Sequence, residues 1–158
     1  ILNEIAQYDA RYVCVTGGEP LAQPNCKNLL GALCDAGYDV SLETSGALDI
    51  AGLDSRVTIV MDVKTPGSGE NARNRLDNID LLKTDDQVKF VIANQDDYVW
   101  SKAFCDAHRL TDRCCVLFSP SAGQLEAREL AEWILADRLR VRFQVQLHKY
   151  LWGNERGH

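Results

Sequence analysis

The sequence predicts an α/β fold: a parallel sheet, open or barrel-like, with helices packed outside it. Three observations carry the prediction. Apolar, strand-like runs recur six times along the chain, and amphipathic stretches with helical spacing fall between several of them. No internal repeat, low-complexity tract or long linker divides the 158 residues, which are enough for a domain with a core of useful size.

The elements follow in order. Residues 12–16, beginning Tyr12-Val13-Cys14-Val15, form the first strand-like run and end at Gly17-Gly18. A helix is expected over 25–36, where Leu29, Leu30 and Leu33 share a face and Gly37 supplies the stop. Strands follow over 39–43 and 57–63, then a weaker segment over 71–82 that reads as a turn or two of helix. The next strand, 87–92, leads into a helix over 96–110, and the strand 114–118 leads into a helix over 125–139. In that last helix Leu130, Trp133, Ile134 and Leu135 form the apolar stripe. Residues 141–147 are read as the sixth strand.

Composition narrows the function. Hydrophobic content of 46% with 25% charged residues is that of an ordinary globular protein, and the net charge of -6 argues against unaided nucleic-acid binding. No apolar run approaches the roughly 20 residues that span a membrane, and the first ten residues do not read as a signal peptide. The six cysteines, Cys14, Cys26, Cys34, Cys105, Cys114 and Cys115, show no C-x2-C spacing. They read as buried small hydrophobes in a reducing cytoplasm.

Ligands of parallel α/β sheets bind at the carboxyl ends of the strands. Here those ends are polar throughout: Thr16-Gly17-Gly18-Glu19-Pro20, Glu43-Thr44-Ser45-Gly46, Asp62-Val63-Lys64-Thr65-Pro66, Ser119-Pro120-Ser121, and Gln144 with Gln146 and His148. Lys89 lies within the fourth strand. Taken singly, each is also ordinary turn chemistry, with Gly for conformation and Thr or Ser bonding its own backbone. Together they predict one shared pocket. Gly67-Ser68-Gly69 does not fit a phosphate loop, and neither a G-x-S-x-G elbow nor an H-E-x-x-H helix is present.

A strand ending in T-G-G-E-P resembles the motif with which radical S-adenosylmethionine (SAM) enzymes hold the amino group of SAM. The remaining motifs make the resemblance more particular: Ser41-Leu42-Glu43-Thr44-Ser45-Gly46, Asp62-Val63-Lys64-Thr65-Pro66-Gly67-Ser68-Gly69, Gln87-Val88-Lys89-Phe90-Val91-Ile92, Phe118-Ser119-Pro120-Ser121, and Arg142-Phe143-Gln144-Val145-Gln146-Leu147-His148-Lys149-Tyr150-Leu151-Trp152-Gly153. Over nearly its whole length the chain is similar to the 7-carboxy-7-deazaguanine synthase family of the radical SAM superfamily. The resemblance implies a partial (βα) barrel and a carbon–nitrogen lyase of queuosine biosynthesis, a tRNA modification pathway. It implies conversion of 6-carboxy-5,6,7,8-tetrahydropterin to 7-carboxy-7-deazaguanine with loss of ammonia. SAM, a 4Fe-4S cluster and Mg2+ are the implied cofactors. Gly18, Glu19, Ser45, Asp62, Val63 and Lys64 are the implied SAM contacts, and Thr16 and His148 the implied substrate contacts. A flavodoxin or ferredoxin as electron donor, a homodimer and a cytoplasmic location complete the expectation.

The chain departs from the family pattern at its start. The family's C-x3-C-x2-C cluster loop is absent, and Cys14 and Cys26 do not have the spacing to replace it. The expectation is therefore one domain, residues 1–158, forming the C-terminal portion of the full enzyme. Its barrel would lack the first strand and helix, expose a sheet edge, hold no cluster and be inactive by itself. Two rivals remain at this point: a radical SAM activase, and a non-catalytic domain that keeps a SAM pocket.

Overall fold

The computed structural model describes residues 1–153; of those, the side chains of His148 and Tyr150 fall outside the description. Six strands form one sheet in the order β1 (Tyr12–Val15), β2 (Asp39–Thr44), β3 (Thr58–Asp62), β4 (Gln87–Ile92), β5 (Cys115–Pro120) and β6 (Arg142–Phe143). Every neighbouring pair is parallel. Parallel crossovers are right-handed, so a chain that adds each strand on the same side of the last carries its connections over one face. Sequential order thus puts the helices on a single face and leaves the other open.

The burial pattern records that asymmetry. Val40, Leu42 and Thr44 of β2, Ile59 and Met61 of β3, and Val88, Phe90 and Ile92 of β4 are buried. Their alternating neighbours Ser41, Glu43, Val60, Asp62, Gln87 and Lys89 are only half-buried. The covered face packs on α2 (Cys26–Asp35) through Leu30 and Leu33. It packs on α3 (Gln95–His108) and α5 (Ala127–Ala136) through Tyr98, Cys105, Leu130 and Ile134. Phe90 and Phe118 meet edge to face, with ring centroids 5.5 Å apart, at the centre of this core. The open face carries Ser41, Glu43, Asp62, Gln87 and Lys89, with Val60 and the buried Leu117 between them.

Most elements fall where the sequence places them. Gly37 ends α2 with φ +89°, and the Tyr38 N–H reaches back to the Leu33 carbonyl at 3.2 Å. Asn94 caps α3, its side chain accepting from the Asp97 N–H at 2.9 Å. The helix expected over 96–110 stops at His108, because Arg109 enters the left-handed region with φ 50°, and a separate turn, α4 (Leu110–Arg113), follows. The segment 71–82 resolves into two short 3₁₀ helices, Asn71–Arg73 and Leu76–Leu81.

The end of the chain differs from expectation. The sixth strand is two residues long, extended by one bond from the Gln144 N–H to the Phe118 carbonyl at 3.0 Å. Leu147–Trp152 is then a helix, α6, rather than the end of a strand. The polar–apolar alternation of 141–147 suggests a longer strand. An edge strand, though, has an inner neighbour only, and Leu147 and Leu151 recur at the i, i+4 spacing of a helix. At the other edge, α1 (Leu2–Ile5) and a 3₁₀ turn, Ala6–Tyr8, precede β1, and neither is expected from the sequence.

The cysteines need a correction. Cys26, Cys34, Cys105 and Cys114 are buried as expected, but Cys14 is exposed and Cys115 only partly covered. Cys14 lies in register with Ser41 on the open face of an edge strand, where no helix reaches it. An apolar run alone does not tell which of its residues face the helices.

Candidate functional site

The carboxyl ends of the first two strands are joined through one carboxylate. After β1, Gly17 (φ 97°) and Gly18 (φ 58°) take backbone angles that a side chain would strain, and they turn Glu19 towards β2. Glu19 Oε1 accepts from the Thr44 hydroxyl at 2.8 Å and the Leu21 N–H at 3.1 Å. Its Oε2 accepts from the Ser45 N–H at 2.8 Å and the Ser45 hydroxyl at 2.5 Å. Burial works to raise the Glu19 carboxyl. The hydrogen bonds from Ser45 and Thr44 outdo it, so the group ionises below the usual range. Four internal donors occupy the carboxylate. An incoming ammonium therefore gains this oxygen pair only by sharing or displacing one of them.

A second polar row crosses the open face. The Thr16 hydroxyl lies 3.5 Å from Glu43 Oε2, and Lys89 Nζ lies 3.7 Å from the same oxygen. Lys89 is 18% exposed and stands in register with Asp62 on β3. Asp62 Oδ2 accepts from Lys64 Nζ at 2.8 Å, while Asp62 Oδ1 is buried with no hydrogen-bond partner among the described residues. Such an orphan oxygen carries a desolvation cost unless a ligand or water donor meets it.

The Asp62–Lys64 strand end opens on a cavity of about 280 Å³, shared with Thr65, Ser68, Ser121 and Gln146. Val63 contributes its backbone there: its N–H donates to the Lys89 carbonyl at 2.9 Å, and its side chain packs in the core. Thr16 lines a separate, larger cavity of about 550 Å³ with Gly17, Cys26 and Leu29. Of the expected site residues, Gly18, Glu19 and Ser45 thus form one group and Asp62, Val63 and Lys64 another. Thr16 reaches Glu43 rather than either group. The backbone of His148 is in α6, and its side chain lies outside the described residues.

Several residues that shape the site carry no signal in the motifs. Asn74 bonds both peptide groups of Lys64, and Asn78, fully buried, bonds the Gly46 and Leu48 carbonyls and the Ile50 N–H. The link from β2 to β3 has no helix, and Asn78 satisfies backbone groups that a helix would pair internally. Asp97, 1% exposed, accepts from the Gly67 N–H at 2.7 Å and so fixes the Pro66–Ser68 turn. The Asn94-x-x-Asp97 spacing resembles a capping box and marks Asp97 as a helix-start residue. Nothing local marks Asn74 or Asn78, whose partners lie 10 and about 30 residues away.

The donor sets of the expected cofactors can be compared with these residues. The Asp62 orphan oxygen, Lys64 and the ionised Glu19 fit a zwitterion that carries ribose hydroxyls, as SAM does. A cluster or metal ion does not fit equally: among the described residues no three His, Cys, Asp or Glu side chains gather to hold one.

A sequentially ordered parallel sheet, helices on one face and polar strand ends define a partial (βα) barrel, and the fold is shared with a radical SAM-type enzyme. The comparisons with known proteins agree. The chain is 44% identical over 156 residues to a 7-carboxy-7-deazaguanine synthase of Chlorobaculum tepidum, matching 97% of this chain and 71% of that protein. It is 36% identical over 155 residues to the synthase of Koribacter versatilis, with 89% and 69% covered. The crystal structure of QueE from Escherichia coli shares the fold with a TM-score of 0.72 at 18% identity, over 92% of this chain and 60% of that one. No family model matches. The chain belongs to the 7-carboxy-7-deazaguanine synthase family, and it spans about seven-tenths of the length of these two relatives.

Proposed function

We propose that the protein converts 6-carboxy-5,6,7,8-tetrahydropterin to 7-carboxy-7-deazaguanine with loss of ammonia, a carbon–nitrogen lyase step that feeds queuosine biosynthesis. The observation that carries this reading is the 44% identity to a synthase of that name across 97% of the chain, strand-end motifs included. SAM, when bound with a 4Fe-4S cluster, supplies the radical that starts such a rearrangement, and Mg2+ assists it.

The chain's own residues have separate parts in this reading. Gly18 leaves the ligand room beside the first strand end, and Glu19 holds a negative charge near the SAM ammonium while clasping Ser45 in place. Lys64 offers its ammonium to the SAM carboxylate or a ribose oxygen, and Asp62 Oδ1 accepts from a ribose hydroxyl. Thr16 faces the pterin, and family resemblance supports His148, whose side chain lies outside the described residues, as a second substrate contact. Residues 1–158 act as one partial-barrel domain. Family resemblance supports a homodimer, a flavodoxin or ferredoxin as electron donor, and a cytoplasmic setting. None of the described helices is long and apolar enough to cross a membrane.

The test is product analysis. Full-length protein, reconstituted without oxygen and given the carboxypterin, SAM and a reductant, is expected to yield 7-carboxy-7-deazaguanine by mass spectrometry. Turnover of a different substrate class, or none with a fully loaded cluster, overturns the reading.

A further inference from the structure

The ladder bonds of β3 end at Val63, whose N–H is held by the Lys89 carbonyl at 2.9 Å. Lys64, the next residue, lies beyond the paired segment, and a side chain takes the place of a neighbouring strand. Asn74 Oδ1 accepts from the Lys64 N–H at 2.9 Å, and Asn74 Nδ2 donates to the Lys64 carbonyl at 2.8 Å. Two bonds to the two peptide groups of one residue fix its backbone as a strand partner would. From that fixed base Lys64 reaches Asp62 Oδ2 at 2.8 Å, which leaves the buried Asp62 Oδ1 with no partner among the described residues.

Asn74 is itself held. It follows the 3₁₀ turn Asn71–Arg73, and the N–H of its neighbour Arg75 donates to the Gly46 carbonyl at 3.2 Å, in the turn after β2. The segment therefore spans the ends of two strands. Without these two bonds the Lys64 peptide groups would lose the partner that stands in for a strand.

We infer that Asn74 is a positioning residue: by clamping the Lys64 peptide it keeps the Asp62–Lys64 pair set for the carboxylate or ribose of bound SAM. The inference rests on the SAM reading above. Asn74 touches no ligand in this account and acts only through Lys64.

The experiment uses the full-length protein and measures the SAM dissociation constant by equilibrium binding, with the carboxypterin affinity and thermal midpoint recorded alongside. Asn74→Ala is expected to weaken SAM binding about tenfold, the scale of one to two lost hydrogen bonds. Pterin affinity should stay at the wild-type value, which a general loss of structure would not allow. Lys64→Ala should weaken SAM binding too, and in that background Asn74→Ala should add less than about twofold. Asn74→Asp keeps the acceptor and loses the donor, and should fall between; it serves if Asn74→Ala does not fold. Wild-type SAM affinity in both Asn74 variants, or effects that multiply with Lys64→Ala, overturn the positioning role. A wild-type protein that binds no SAM, or a Lys64→Ala that binds it normally, overturns the cofactor reading instead and removes this inference with it.

Discussion

Glu19 and Ser45 are bonded twice, through the Ser45 amide at 2.8 Å and its hydroxyl at 2.5 Å, so the turn after β1 and the turn after β2 move as one. Parallel strands carry no tight turn between them, and their carboxyl ends are otherwise free to splay. The carboxylate closes that gap with a charge, and each bond to it is worth more than a neutral one.

Glu19→Gln should therefore be destabilising despite its size. The amide keeps one acceptor oxygen and puts an NH2 where the other stood. The hydroxyls of Thr44 and Ser45 can rotate to accept from it, but either the Leu21 or the Ser45 N–H loses its acceptor. An expected loss of about 2 kcal/mol follows, read as a lower urea midpoint at unchanged slope. Wild-type stability would show that the clasp contributes nothing.

The same clasp predicts an acid limb. Because the Glu19 carboxyl is held below its ordinary value of 4.5, its contribution is complete above that pH and disappears as pH falls through the lowered native value. Denaturation midpoints measured from pH 6 downward should fall more steeply in wild type than in Glu19→Gln, whose amide does not titrate. Parallel curves would assign the acid loss to other carboxylates.

Thiol reactivity should follow exposure. Cys14 stands on the open face of the edge strand, while burial pushes the Cys114 thiol up to about 11 and that of Cys105 up to about 12. Only a thiolate attacks a disulfide reagent. At pH 8 an aromatic disulfide reagent should label Cys14 first in this chain, and Cys14→Ser should remove the fast phase. Cys105 and Cys114 should react only in denaturant. A fast phase that survives Cys14→Ser would place a second accessible thiol among the other five.

The strands and main helices were legible because their signals are local: apolar periodicity, Gly37 as a stop, Asn94 as a cap. The polar strand ends were legible because a parallel fold gives position a meaning. The facing of Cys14 was not, since its exposure depends on which side the helices cover. The roles of Asn74 and Asn78 were not legible either, since each bonds backbone groups that the fold alone brings near. The short sixth strand reflects competition at an edge, where one neighbour does not offset the helical spacing of Leu147 and Leu151.

Gly67 and Asp97 provide a test of how tightly the third strand-end turn is built. Gly67 has no unusual backbone angle, so alanine there is conformationally acceptable and only space opposes it. A Cβ would lie 2.5 Å from Asp97 Oδ2 and 2.9 Å from Oδ1, inside any real contact. Asp97 is 1% exposed and also accepts from the Ala93 N–H at 3.2 Å, so its carboxylate has little freedom to retreat. Gly67→Ala must break the 2.7 Å bond or shift the Pro66–Ser68 turn, at about 2 kcal/mol. Asp97→Ala alone leaves two N–H groups without this acceptor, that of Gly67 in the turn and that of Ala93 just before α3, a cost of similar size. With the carboxylate gone the three atoms nearest the Cβ are removed, so Gly67→Ala should cost less in the Asp97→Ala background. Chemical denaturation of the two single variants and the double should thus give a sum larger than the double. Strict additivity would mean that the turn yields to the methyl group by some other route and that Asp97 does not set its position.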